Sequence, residues 1–227
     1  MDIHDTIGST EYFAQKRVIP LHEENKLGVM PISKLIWNMS LPIIASMLVQ
    51  ALYNIVDSVF VSRVSEQALT AVSLAFPAQN LMIGLATGTA VGVNALMGRA
   101  LGAGLRERAD KVANHGILLA LVGFAISALL GATCSDLFFR SQTQIENIIR
   151  MGNDYLRVVT IGSLGMFCQI MYERLLQGTG RSILSMYTQG LGAIINIILD
   201  PIFIFGYCGE ALSGTTGAAV ATVIGQF

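Results

Sequence analysis

Three long stretches without a charged residue constrain what this chain can fold into. They contain 22 residues between Lys34 and Asp57, 32 between Glu66 and Arg99, and 24 between Lys111 and Asp136. A helix needs about 20 apolar residues to cross the hydrocarbon core of a bilayer. A buried helix of a soluble protein would be shorter and would have a polar face. The sequence therefore predicts an all-α membrane protein.

The hydropathy pattern predicts six spans that form one transmembrane lobe over residues 34–227, preceded by a polar tail at 1–33. The sixth helix is expected to be truncated, because the sequence is still apolar where it stops. Residues 141–157 fit either a short amphipathic helix at the membrane interface or a solvated connector. The predicted spans cover about 35–62, 68–96, 114–135, 155–177, 183–206 and 215–227.

The positions of the basic residues predict the orientation of the chain. With the amino terminus in the cytoplasm, ten of the 14 Lys and Arg residues lie on the cytoplasmic side and four on the other. We therefore expect a multi-pass protein of the cytoplasmic membrane with a cytoplasmic tail. The formal net charge of −1 gives no field that would attract nucleic acid.

Asp57 lies late in the first predicted span, and polar residues accompany it on the same side of the helix. Gln50, Asn54 and Asp57 are spaced i, i+4 and i+7, and Tyr53 lies beside them. An aspartate near the bilayer centre costs about 2.5 to 3.5 kcal/mol, so this stripe is expected to face the bundle interior or a wet cavity. Because Arg63 follows closely, an interfacial position for Asp57 stays open.

The fifth predicted span carries a second polar stripe that ends at Asp200. Gln189, Asn196 and Asp200 share one helical face, which should also avoid lipid. Asp200 precedes Pro201, so a purely structural role at a helix end is the alternative interpretation. The asparagine beside each aspartate favours a functional role for at least one of the two carboxylates.

Other features of the spans have simpler interpretations. Pro42 removes a backbone hydrogen bond and permits either a hinge or a static bend. Glycines at 84, 88 and 92 form a stripe of small residues that favours close helix packing. Glu173 and Arg174 are interpreted as a charge pair at a helix end. The sequence contains no nucleophile elbow, P-loop, zinc or Rossmann pattern, so we expect no enzyme.

Several motifs, in order along the chain, resemble those of the multidrug and toxic-compound extrusion (MATE) family. The resemblance covers about 27–227. The motifs are PISKL at 31–35, SLP at 40–42, QALYNIVD at 50–57, AVSLAFP at 71–77, GRALGAG at 98–104, LQGTGR at 176–181, NIILDPIFIFG at 196–206 and GAAVAT at 217–222.

The resemblance implies more than the spacing does. Members of this family resemble a twelve-helix protein of two six-helix lobes that exchanges organic cations or drugs for H⁺ or Na⁺. The cation-coupling residues it implies here are Asp57, Asn196 and Asp200, with Thr222 as a looser candidate. It also matches Pro42 to the position at which the first helix bends. We expect these two carboxylates to be coupled and to hold the ion with Asn196.

The expected function is that of a secondary active antiporter that exports small cationic amphipathic compounds by alternating access. Its surroundings would be the lipid bilayer and a carboxy-terminal six-helix lobe that the sequence does not contain. Apart from H⁺ or Na⁺ as the coupling ion, no cofactor is expected. Two alternatives are a flippase for lipid-linked oligosaccharides or polysaccharides, and a non-transporting half-length membrane partner.

Overall fold

The computed structural model describes residues 30–205 and 214–227, and within them the chain forms helices and no strands. The predicted tail up to residue 29 and Gly206, the predicted end of the fifth span, lie outside the described residues. The helices are α1 (Ile32–Ser62), α2 (Glu66–Gly102), α3 (Arg106–Gln142), α4 (Glu146–Ile161), α5 (Leu164–Gly178), α6 (Ser182–Ile204) and α7 (Gly214–Gly225).

Four of these helices, α1, α2, α3 and α6, are long and apolar enough to cross a membrane. With 37 residues each, α2 and α3 extend beyond the charge-free segments that predicted them. Helix α2 begins where the Ser65 side chain accepts a hydrogen bond from the Ala68 amide at 3.0 Å, a common N-cap. The all-α membrane class is confirmed.

The segment predicted as the fourth span is two helices instead of one. Helices α4 and α5 have 16 and 15 residues, and each is shorter than the roughly 20 that a crossing needs. The chain breaks at Gly162 and Ser163, where a side chain on Gly162 would collide with Val223 of α7. Residues 155–177 are therefore interrupted at 162–163, although both residues keep right-handed helical backbone angles, and α7 packs closely at this point.

Helix α4 also differs from the prediction for residues 141–157. Its apolar face is buried, with Ile148, Ile149, Tyr155 and Leu156 each at most 5% exposed. This face packs against α2, α3 and α7. The apolar side of α4 therefore belongs to the protein core, and the helix leads directly into α5, as expected for a segment that begins the fourth predicted span.

Helix α1 lies at the edge of the bundle and packs mainly along α6, while α2 to α5 pack extensively against one another. Near their carboxyl ends, α1 and α6 are joined by an edge-to-face contact between Phe60 and Phe205, with ring centroids 6.2 Å apart. The α1–α6 contact brings together the two helices that carry the predicted polar stripes.

The glycine stripe on α2 makes no close helix contact within the described lobe, and its packing role stays a prediction. A Cβ added at Gly84, Gly88 or Gly92 would meet no atom within 4 Å, and all three glycines are exposed. Helix α2 instead buries alanines, among them Ala86 and Ala90. The glycines lie on the other side of the helix, away from the rest of the lobe.

Glycines that do permit close packing lie on α3 and α4. A Cβ at Gly131 of α3 would collide with the side chain of Thr160 on α4, and one at Gly152 of α4 would collide with Phe139 of α3. Both contacts lie in the interface between α3 and α4. The absence of a side chain at both positions allows the two helices to approach.

Alanine substitution at two glycines provides a matched test of this packing. We expect Gly131→Ala to destabilise the lobe by about 1–3 kcal/mol, because overpacking displaces Thr160 or the helices. Gly88→Ala should leave stability unchanged or raise it by up to about 1 kcal/mol, since alanine favours a helix. Thermal unfolding in detergent measures both, and equal effects of the two substitutions would contradict the packing described.

Candidate functional site

Asp200 is fully buried near the carboxyl end of α6, and Asn196, one turn earlier on the same face, is 3% exposed. With its amide oriented to match donors with acceptors, Asn196 Nδ2 donates to Asp200 Oδ2 at 3.0 Å. Asn196 Oδ1 accepts from the Thr222 backbone amide at 3.2 Å. Asn196 therefore connects the Asp200 carboxylate to α7.

Asp57 approaches this cluster from α1. It lies near the carboxyl end of α1, three residues before Phe60, whose ring contacts Phe205 beyond Asp200 at the carboxyl end of α6. Asp57 Oδ1 and Asp200 Oδ1 are buried, and neither has a hydrogen-bond partner among the residues described. The structure thus brings together the two aspartates and the asparagine that the sequence singled out.

These unpaired oxygens fit a site for a monovalent cation. Ionised carboxylates accept hydrogen bonds or bind cations, and leaving them buried and unpaired is unfavourable. The two carboxylates provide hard oxygen ligands of the kind that alkali and alkaline-earth ions prefer, whereas the Asn196 amide oxygen is already used by the Thr222 amide. A proton bound by one carboxyl group would equally reduce the repulsion between them.

A cavity of about 160 Å³ lies between α1, α5, α6 and α7. It begins beside the aspartate cluster, where Asn196 and Thr222 form part of its wall. Gln50 and Tyr53 of α1 and Gln189 of α6 also line it, as the sequence predicted for cavity-lining residues. Thr222 contributes its backbone amide, whereas its hydroxyl donates to the Ala218 carbonyl at 2.9 Å.

Two residues with a predicted role in the site, Asn54 and Pro42, do not line the cavity. Asn54 is exposed on α1 and does not line the cavity, so its side chain does not point inward with Asp57. Pro42 lies inside a continuous α1, and the Ser46 hydroxyl donates to its carbonyl at 2.9 Å. The described conformation of α1 is one helix through Pro42, and the hinge remains a prediction.

The cavity also contains an acidic residue that was not predicted from the sequence to belong to a site. Glu173 of α5 is 7% exposed, and its carboxylate accepts from Gln169 Nε2 at 3.0 Å and from Gln189 Nε2 at 2.6 Å. Arg174 makes no direct ion pair with Glu173 among the described residues, since its guanidinium donates to Gln177 Oε1 at 2.9 Å, but the two opposite charges are close enough to interact. The i, i+4, i+8 spacing of Gln169, Glu173 and Gln177 could have indicated a polar face.

Comparison with known proteins matches residues 42–202 to the MatE family model. The chain is 28% identical over 193 residues to the FAD transporter of Shewanella oneidensis, covering 85% of this chain and 43% of that protein. It is also 28% identical over 219 residues to the probable multidrug resistance protein NorM of Thermotoga maritima, covering 95% and 46%.

A solved structure shows the same arrangement of helices. The chain superposes on a MOP superfamily transporter from Pyrococcus furiosus with a TM-score of 0.84 and 32% identity, covering 90% of this chain and 44% of the other. The chain therefore spans less than half the length of the curated relatives and of this structure.

Removing the amide that joins α6 to α7 tests the geometry of the aspartate cluster. We expect Asn196→Ala to lower stability by about 1–3 kcal/mol, because Asp200 Oδ2 loses the donor that connects it to α7. Asn54→Ala, the same change on the exposed face of α1, should stay within about 0.5 kcal/mol of wild type. Thermal unfolding in detergent compares them, and indistinguishable stabilities would show that Asn196 makes no such link.

Proposed function

The chain belongs to the MatE family of membrane transporters, and from this premise we propose that it forms one lobe of a cation-coupled exporter. The observation that supports the proposal is the pair of buried, unpartnered carboxylate oxygens on Asp57 and Asp200. They lie on the two helices, α1 and α6, that form the most extensive contact made by α1. A site at this contact can link the charge of an ion to the position of α1.

In this proposal Asp57 and Asp200 hold the coupling ion, H⁺ or Na⁺, and Asn196 contributes by orienting the Asp200 carboxylate. When the ion is bound, the repulsion between the carboxylates is removed and α1 and α6 can pack tightly. When the ion leaves, two like charges face each other in a medium of low dielectric and favour separation of the helices. The ion thereby shifts the population between two arrangements of α1, with Pro42 as the hinge.

Expulsion of the substrate would follow from the same movement. The cavity lies along α1, so a change in α1 alters its shape and the side to which it opens. Gln50 and Asn54 are exposed at the depth of the membrane, where polar side chains avoid lipid. We therefore place them towards the second six-helix lobe or a water-filled passage between the lobes, as alternating access requires.

Organic cations are the substrate class that we propose. Among the described residues that line the cavity, the charged side chains are Glu173 and Arg174, and the other polar ones are largely glutamines. A flippase for lipid-linked saccharides would need a basic surface to hold phosphate groups. The cavity contains one arginine, which is hydrogen-bonded to Gln177, so it favours export of cations over flipping of an anionic lipid.

Neutralising either aspartate tests the coupling role. In the full-length protein, Asp57→Asn and Asp200→Asn should each abolish ion-driven efflux, because an amide cannot bind and release the coupling cation. Asp110→Asn makes the same chemical change at an exposed position of α3 and should retain wild-type efflux. Dye efflux from cells with equal expression is the measurement, and wild-type rates in both cluster variants would refute the proposed site.

Cysteine labelling tests the proposed orientation in the cytoplasmic membrane. In a background without native cysteines, Arg63→Cys lies in the α1–α2 turn and Leu105→Cys in the α2–α3 turn, and both residues are exposed. With a cytoplasmic amino terminus, a membrane-impermeant maleimide should label Arg63→Cys in intact cells and Leu105→Cys after permeabilisation. The opposite pattern would place the amino terminus outside.

A further inference from the structure

We propose that one face of α3 binds an anionic phospholipid of the surrounding membrane. Basic residues at the amino end of the helix hold the phosphate group, and an acyl chain lies along the apolar residues that follow on the same face. The site is separate from the cavity and from the aspartate cluster, and it does not depend on what the lobe transports. Four observations support it: the spacing of the basic residues, their unbalanced charge, the apolar stripe beside them and the side of the lobe on which they lie.

The basic residues lie on one side of α3 in its first three turns. Arg108, Lys111 and His115 are spaced i, i+3 and i+7, and all three are exposed. His115 Nδ1 lies 2.6 Å from the Lys111 carbonyl, which can only accept, so Nδ1 donates and Nε2 is left for another partner. Arg108 and Lys111 therefore supply positive charge, and His115 adds a further donor at Nε2 when it is protonated.

The charges of Arg108 and Lys111 are not balanced by an ion pair in the part of the chain that the structure describes. The two ion pairs found there both involve Arg140 at the other end of α3, where Asp136 and Glu146 compensate its charge. The two ends of α3 therefore differ. At the carboxyl end the basic residue already has acidic partners, whereas at the amino end the basic residues are available to an external anion.

The stability of α3 does not explain why basic residues occur at its amino end. That end of a helix carries a partial positive charge, so acidic residues are favourable in the first turn and basic ones are not. Residues 99–111 nevertheless contain four Arg or Lys residues and two acidic ones, a net charge of +2. A positive charge of this kind beside a membrane attracts anionic lipid headgroups.

An exposed apolar stripe continues the same face of α3 beyond the basic residues. Its members keep the helical spacing that begins at Arg108, and each is at least 47% exposed. They are Leu118, Val122, Ile126 and Leu129. His115 and Ile126 are eleven residues apart, or about 16 Å at the helical rise per residue. One leaflet supplies about half of a hydrocarbon core that is roughly 30 Å thick, so the stripe has the length of one acyl chain.

This face of α3 lies on the side of the lobe where lipid is expected. Helix α3 packs mainly against α2, α4 and α5, and none of the described residues that line the cavity belongs to it. The stripe is apolar throughout, whereas the exposed face of α1 carries Gln50 and Asn54. Polar residues avoid lipid, so the two faces have different surroundings. With a cytoplasmic amino terminus, the basic end of α3 lies at the leaflet in which anionic lipids attract basic residues.

Two lipids that differ only in their headgroups test the site. Dioleoyl-phosphatidylglycerol is anionic, and dioleoyl-phosphatidylcholine has the same chains and no net charge. We expect Arg108→Gln combined with Lys111→Gln to weaken binding of the first phosphatidylglycerol to the full-length protein by about tenfold or more, since each basic residue near an anionic lipid contributes roughly fivefold. Phosphatidylcholine affinity should change by less than about twofold, because its headgroup has no net charge. Native mass spectrometry of the protein in detergent measures both affinities.

Three comparisons separate the site from general effects of charge. Arg108→Lys combined with Lys111→Arg retains both charges and should keep the preference for phosphatidylglycerol. Arg140→Gln removes a basic residue that already has acidic partners at the other end of α3, and it should leave phosphatidylglycerol affinity unchanged. Glycerol 3-phosphate carries a phosphate without acyl chains and should not displace the lipid at equal concentration, because it makes no contact with the apolar stripe.

A photoreactive lipid locates the site directly in the wild-type protein. Phosphatidylglycerol with a diazirine on one acyl chain should crosslink to a peptide that contains residues 118–129, and the Arg108→Gln, Lys111→Gln variant should lose that product. Crosslinks found only on other helices would overturn the proposal. So would equal affinity of wild type for the two lipids, unchanged phosphatidylglycerol affinity in the double variant, or equal weakening of both lipids by it. Displacement of the lipid by equimolar glycerol 3-phosphate would indicate a site for soluble phosphates and would contradict a lipid site.

Discussion

The central constraint in this lobe is the electrostatic interaction between two acidic residues at the contact of α1 with α6. Asp57 and Asp200 both place an oxygen in the protein interior without a hydrogen-bond partner among the described residues. In a medium of low dielectric, two such carboxylates repel each other far more strongly than they would in water. In the proposed mechanism a cation that binds between them would remove this repulsion, and the stability of the helix contact would then depend on whether the ion is present.

The arrangement of the helices determines which of them responds to a change of charge at this contact. Helices α2 to α5 form the core of the bundle, while α1 is held mainly by its long contact with α6. A change of charge at this contact therefore affects the least restrained long helix of the lobe. Pro42 lies 15 residues before Asp57 on α1, where a missing backbone hydrogen bond would permit bending. Ion binding near one end of α1 can then be converted into movement along the cavity.

The polar residues on one face of α6 are also relevant to how the substrate and the ion are coupled. Along α6, one face carries Ser185, Gln189, Asn196 and Asp200, with Gly192 and Ala193 in the middle, so polar groups occur on this face both near Glu173 and at the aspartate cluster. Substrate and coupling ion held along one helix would both act on the same α1–α6 contact. Coupling of two ligands requires that each binds one conformation better than the other, and a shared helix contact provides this condition.

Much of the fold and of the aspartate cluster could be predicted from the sequence, because long uncharged segments and acidic residues inside them have few physical explanations. The interruption at 162–163 could not, because both residues keep helical backbone angles and the helix that packs closely there, α7, is far away in sequence. The hydrogen bonds of Glu173 could not either, because adjacent opposite charges suggest an ion pair although neighbours on a helix do not face each other. The exposure of Asn54 within this lobe was not predicted, since a spacing of three or four residues fixes a helical face only approximately.

The most direct test of a shared ion site is a count of bound cations in the full-length protein without substrate. Uptake of radioactive Na⁺ and of protons would be measured for wild type, for Asp57→Asn, for Asp200→Asn and for the double variant. If the two carboxylates bind one ion together, each single variant loses as much binding as the double variant, a strongly non-additive result. Partial losses in the single variants that add up to the loss in the double variant would show two independent sites and contradict the shared cation.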